Sequence, residues 1–204
     1  MSSDNFISIF IPIYSAILGA AVASVFLFSH ERQKDKREIR KIKSLLNSDF
    51  SEFYEEITKD RQFIQDARDK LETDDSLVNK LISGTMDFSE FYSKYGIFYE
   101  LQYWQAIISS GSLLKLEKDE ISHVQAVSNS MDWYNAELRE AHQETNDSLC
   151  DCLFPPDADQ QYEDEPDPET VKDILDGYFA DVLSMMKDCI SDLEELRKFS
   201  WIKF

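Results

Sequence analysis

The stretch that most constrains this chain is residues 6–28, Phe-Ile-Ser-Ile-Phe-Ile-Pro-Ile-Tyr-Ser-Ala-Ile-Leu-Gly-Ala-Ala-Val-Ala-Ser-Val-Phe-Leu-Phe. It holds no Asp, Glu, Lys, Arg or His. At 1.5 Å rise per residue a helix of this length spans roughly 30 Å, enough to cross a bilayer core. A core helix of a soluble protein would show a polar stripe, and this stretch has none. The expectation is a single transmembrane helix, residues 1–29, retained as an anchor. A cleaved signal peptide needs a basic leader and a shorter apolar run, whereas Asp4 precedes this one.

Flanking charge sets the predicted orientation. No Lys or Arg precedes the run, while Arg32, Lys34, Lys36, Arg37, Arg40, Lys41 and Lys43 follow it. Cytoplasmic flanks retain positive charge, so the N-terminus is expected outside the plasma membrane and the rest of the chain in the cytoplasm. The same seven cations are the expected contacts to anionic lipid. Within the run, Ser15, Gly19 and Ala23 lie four apart, as do Ala16, Ala20 and Ser24. Small residues at this spacing let helix backbones approach closely in lipid, so the first set is the candidate self-association face. Pro12 marks a kink or the outer turn of the span.

The remainder, about 175 residues, is the size of one ordinary domain. Only five Gly and five Pro occur in the whole chain, which disfavours a loop-rich or all-β fold. The net charge of −19 argues against a nucleic-acid surface, which needs concentrated Lys and Arg. Hydrophobic spacing then predicts an all-α fold: the span followed by a cytosolic antiparallel bundle of long helices.

Residues 30–72 read as a basic and amphipathic helix, with Ile39, Ile42, Leu46, Phe50, Phe53, Ile57, Ile64, Ala67 and Leu71 at three- and four-residue steps. One beat is missing near Asp60 and Arg61, and Asn47-Ser48-Asp49 offers caps for a new start, though near-continuity with the span is favoured. Residues 73–153 form the bundle core. A short helix ends at Gly84, and Asp87 caps the next one. The aromatics from Phe88 to Trp104 predict a central, mostly buried helix reaching Ile108, with Gly96 at a bend. After Leu113, Leu114 and Leu116 comes a long helix striped by Ile121, Val124, Ser128, Met131, Asn135, Leu138, His142, Thr145 and Leu149. Residues 154–168 are an acidic, proline-rich linker expected to be exposed. Residues 169–204 then pack on the bundle through Val171, Leu175, Tyr178, Val182, Met185, Cys189, Leu193, Leu196 and Phe199.

Catalytic, cofactor and metal signatures are not found. Glu120-x-x-His123 is half of a di-iron motif, but Arg139 stands three before His142 where the second Glu belongs. Helical ribonucleases carried by bacterial membrane-associated defence effectors have an Arg and a His four to six residues apart. Arg139 and His142 are closer, and Lys118 with His123 has the wrong cation. Cys150 and Cys152 lack two further ligands, and cytosolic thiols stay reduced.

The run Trp104-Gln105-Ala106-Ile107-Ile108-Ser109-Ser110-Gly111, continuing through Leu113 and Leu116 to Tyr134-Asn135, resembles a pattern in uncharacterised bacterial and archaeal single-pass membrane-anchored helical proteins. That pattern is a Trp, a Ser-Gly stop, a Leu-rich connector and a helix ending Tyr-x-x-x-x-Asn. Here Asn135 directly follows Tyr134, a departure from it. The resemblance implies an antiparallel helix hairpin and transfers no catalytic residue. The expected function is therefore a membrane-anchored, non-enzymatic scaffold, regulatory or oligomer-forming protein. Its partners are the lipid bilayer and a second copy or another membrane protein, with no nucleic acid and no cofactor. A membrane-disrupting or pore-forming defence effector is one rival. A small-molecule sensor or enzyme using the aromatic-rich core is the other.

Overall fold

The structure, a computed structural model, describes the backbone of residues 3–154 and 166–204, and the side chains of 20–154 and 166–204. The predicted linker therefore lies outside the described residues from 155 to 165. Ser15 and Gly19, like the first two thirds of the predicted span, lie outside the described side chains. Among the described residues every regular element is helical, so the fold is all-α. No helix among them is long and apolar enough to cross a membrane.

Helix α1 runs without a break over Ser3–Leu71. The chain divides into two units, Met1–Ser44 and Leu45–Phe204. Residues 45–71 fall in the second unit. The physical reason is their stripe: Leu46, Phe50, Phe53, Ile57 and Ile64 are at most 3 % exposed. In the first unit, residues 20–37 expose their side chains all round.

The second unit is an up-down-up-down arrangement, and contacts between elements fix the directions. α5 (Lys118–Leu153) rises alongside α1, and α6 (Pro168–Glu195) descends. Arg68 of α1 meets Asp176 near the start of α6, while Tyr54 meets Glu194 near its end. Asp167 caps α6, accepting the Glu169 N–H at 3.2 Å, with Pro168 at the first helical position. Glu117 and Glu120 form a capping box that starts α5.

The remaining descending limb is where sequence and structure differ. The aromatic stretch is not one buried helix. α2 (Ser76–Ile82) and α3 (Phe88–Tyr95) are followed by non-helical chain from Gly96 to Tyr103, then by the six-residue α4 (Trp104–Ser109). Extended chain advances about 3.3 Å per residue against 1.5 Å for helix, so a short segment can descend most of the bundle. It runs from Tyr95, stacked on Phe63, past Tyr99, packed on Phe53, to Tyr103 beside Asp49. Gly111, at φ 67, then turns the chain into a 3-10 turn, Ser112–Lys115, which leads to α5.

Candidate functional site

Two features stand out, one in each unit. The first is the exposed stretch of α1. Val22, Val25, Phe26, Leu27 and Phe28 are 52, 69, 75, 66 and 60 % exposed. Four consecutive helical residues at 100° steps cover the whole circumference, so this helix is apolar on every side at once. Ser24 satisfies its hydroxyl by donating to the Ala20 carbonyl at 2.8 Å, leaving no free polar group on that turn. Ala23 is exposed. Of the predicted lipid contacts, Arg32, Lys34, Lys36, Arg37, Arg40 and Lys41 are exposed and Lys43 is half-buried. The Arg32 guanidinium lies 4.9 Å from the Phe28 ring centroid, a cation over an aromatic face where apolar chain gives way to basic chain.

The second feature is a polar network that holds the extended segment of the bundle. Backbone outside helices leaves N–H and C=O groups that must find partners when buried. Asn135 and Tyr134 of α5 supply them. Asn135 Nδ2 donates to the Tyr99 carbonyl at 2.8 Å, and Tyr134 Oη donates to the Ile97 carbonyl at 3.0 Å. Tyr99 Oη in turn donates to Asp60 Oδ2 at 3.0 Å. The missing beat at Asp60 is thus a polar anchor for the segment. Asp49 accepts the Tyr103 N–H at 2.9 Å, serving as a cap for α4 delivered from α1. Asp49 is only 3 % exposed, and burial raises its carboxyl pKa against the opposing pull of these backbone amides. Burial likewise raises the phenols of Tyr99, Tyr134 and Tyr178 well above their ordinary value.

Asn47 also does something other than cap a new helix. Its Oδ1 accepts the Lys203 N–H at 2.6 Å, and Ser51 Oγ donates to the Lys203 carbonyl at 2.9 Å. Phe204 stacks on Tyr54, with centroids 4.7 Å apart. The apolar tail therefore docks on α1.

Higher in the bundle, His142 Nε2 hydrogen-bonds Tyr178 Oη at 2.9 Å while its ring stacks on Tyr92 at 4.4 Å. Burial lowers the His142 pKa. The Tyr92 hydroxyl is buried and has no hydrogen-bond partner among the described residues. Arg139 lies over the Phe98 ring. Glu120 is taken up by Trp201 Nε1 at 2.7 Å, and His123 by the Asp119 carbonyl at 2.8 Å, so this pair serves helix-end packing. Among the described residues no group of three or more His, Cys, Asp or Glu is placed to hold a metal ion. Cys189 is buried against Ser130, its thiol pushed up to about 11 by desolvation, and Cys150 and Cys152 are free thiols.

Sequence reasoning missed Asp60, Asp49 and Asn135 as anchors, since each bonds to a group distant in the chain: Asp49 and Asn135 to backbone, Asp60 to the Tyr99 hydroxyl. A polar residue on an apolar helical stripe was the available signal for Asp60 and Asn135. No protein-family model matches the chain, and neither curated proteins nor solved structures give a significant match.

Proposed function

We propose that this chain is a membrane-anchored, non-enzymatic scaffold or regulatory protein. Residues 6–28 form its span, the N-terminus lies outside the plasma membrane, and the helical bundle lies in the cytoplasm. The observation that carries this reading is the exposure of Val25, Phe26, Leu27 and Phe28 on all sides of one helix. A protein partner covers one face of a helix, whereas a bilayer covers every face. The basic residues from Arg32 onward supply the cytoplasmic flank and the contact to anionic headgroups. The side-chain network of the bundle supports a structural role, because its polar groups are spent on holding backbone.

Fractionation tests the anchor. The wild type should stay with membranes through alkaline carbonate, and Leu27→Arg should loosen it. A charge in the span costs about 2.5–3.5 kcal/mol at the bilayer centre and less toward the boundary, where Leu27 would sit. Wild type recovered in the soluble fraction overturns the reading. Protease added outside intact cells that removes Phe204 overturns the orientation. Self-association through Ser15, Gly19 and Ala23 belongs to the same proposal. Gly19→Leu should weaken an oligomer seen in detergent, and a wild type that is monomeric throughout removes that part.

A further inference from the structure

Residues 202–204 leave the helical part of the chain and lie along the outside of α1. A 3-10 turn, Leu196–Lys198, follows α6, and the Ile202 N–H then donates to the Phe199 carbonyl at 3.0 Å to redirect the chain. Beyond that turn the side chains alternate as on extended chain: Ile202 is buried, Lys203 exposed and Phe204 half-buried. The receiving face is one stripe of α1. Asn47, Ser51, Tyr54 and Thr58 stand at steps of four, three and four, beside the buried stripe Leu46, Phe50, Phe53 and Ile57.

This face grips main chain. Asn47 Oδ1 accepts the Lys203 N–H at 2.6 Å and Ser51 Oγ donates to the Lys203 carbonyl at 2.9 Å. Both backbone groups of one residue are thus engaged while its side chain stays exposed. The Phe204 ring stacks on Tyr54, and the Arg197 guanidinium lies 5.0 Å from the Tyr54 centroid and 5.5 Å from that of Phe204. Bonds to main chain are indifferent to sequence, so selectivity rests on the Ile202 and Phe204 positions. Lys59 and Arg197 stand here with Glu55 and Glu194, so charge does not choose the occupant.

Two observations mark residues 202–204 as a removable occupant. Both hydrogen bonds to Lys203 are exposed, so water can take their place when the segment lifts. A cavity of about 550 Å³ beside Phe204 also continues along α1 to Glu55, Thr58 and Lys59, so the face is longer than the chain lying on it. Trp201 donates to Glu120 at 2.7 Å, a tie to α5 that confines the lifting to the three residues after it.

We propose that this face of α1 is a docking site for an extended peptide of a partner protein, with residues 202–204 as the strap that covers it in the partner's absence. The peptide supplies an aliphatic and an aromatic side chain two residues apart, which refill the places of Ile202 and Phe204. The inference goes beyond the anchored reading and stands without it, since it concerns residues 45–204 alone.

The test uses the full chain in detergent and a fluorescein-labelled peptide, Ser-Trp-Ile-Lys-Phe, capped at both ends and followed by anisotropy. Lys203→Pro removes the N–H that Asn47 accepts without touching a buried side chain, and Phe204→Ala removes the stacked ring. Both variants should bind the peptide at least about tenfold more tightly than wild type, because a face occupied in cis is only fractionally free. Adding Asn47→Ala and Ser51→Ala to Lys203→Pro should abolish the gain, and a peptide with Pro in the Lys position should not bind. Tightening in neither variant, including a loss of helix by circular dichroism with no peptide bound, makes the segment a fixed part of the bundle and overturns the proposal. A gain that survives Asn47→Ala and Ser51→Ala places the peptide elsewhere and also overturns it. If Lys203→Pro lowers the oligomeric state of the chain, the face is filled by the same segment of a second copy and the proposal falls.

Discussion

Asn135 closes both of its amide hydrogen bonds on one residue, Tyr99: Nδ2 donates to the carbonyl at 2.8 Å and Oδ1 accepts the N–H at 3.1 Å. A helix side chain thereby does for an extended segment what a neighbouring strand does in a sheet. Tyr99 is 4 % exposed, so water cannot readily replace the bonds.

Asn135→Ala should therefore cost about 2–4 kcal/mol in urea denaturation, since each buried backbone group left without a partner costs about 1–3 kcal/mol. A loss below about 0.5 kcal/mol, the usual range for surface substitutions, would mean that the segment is held without this clamp.

Gly96 and Gly177 should respond oppositely to alanine. A Cβ at Gly96 would overlap the His142 ring at Nε2 and lie 2.8 Å from the Tyr92 carbonyl, so the ring must move and leave Tyr178. Overpacking of this kind costs about 1–3 kcal/mol. A Cβ at Gly177, inside α6, meets nothing within 4 Å. Gly177→Ala should raise stability by about 0.5–1 kcal/mol through helix propensity. Equal melting temperatures for the two variants would contradict the His142 packing.

Stability should fall as pH drops from neutral toward about 5, the range in which an ordinary His gains its proton. The folded His142 pKa lies below its ordinary value of 6.5 because burial penalises the cation. The unfolded chain then binds the proton first, and the contribution present above the unfolded pKa is lost on acidification through the folded one. Asp49 works the other way at lower pH. Its raised pKa gives stability that is present below 3.8 and lost as pH rises through the folded value. Calorimetry of His142→Gln should show a shallower decline than wild type between neutral pH and about 5. Parallel profiles would remove His142 as the cause.

Leu193→Ala should cost about 2–5 kcal/mol, since Leu193 is 0 % exposed and its removal leaves a cavity. Arg68→Met should cost far less, under about 1 kcal/mol, although Arg68 and Asp176 form two hydrogen bonds at 2.7 and 2.8 Å. Their side chains are 35 and 46 % exposed, so solvent screens the pair. A larger loss in Arg68→Met than in Leu193→Ala would mean that charge, and not burial, holds α6 to α1.

The sequence by itself determined the helices whose periodicity repeats over many turns. The stripes from Leu46 to Leu71 and from Val171 to Leu193 both lie buried in long helices, and Asp167 with Pro168 starts α6. A repeat of 3.6 residues summed over many turns outweighs local exceptions. The same pattern misread the stretch from Phe88 to Ile108, because aromatics at helical spacing bury equally well on extended chain when partners exist for its backbone. Those partners, Asn135, Tyr134 and Asp49, come from helices 36 to 54 residues away in sequence. Asn47 and Asp49 were legible as capping residues, yet Asp49 caps α4 and Asn47 receives the Lys203 N–H of the C-terminal segment. A cap is recognised by side-chain chemistry, which the sequence carries. Which backbone N–H it meets depends on what packs beside it, and only the tertiary structure decides that.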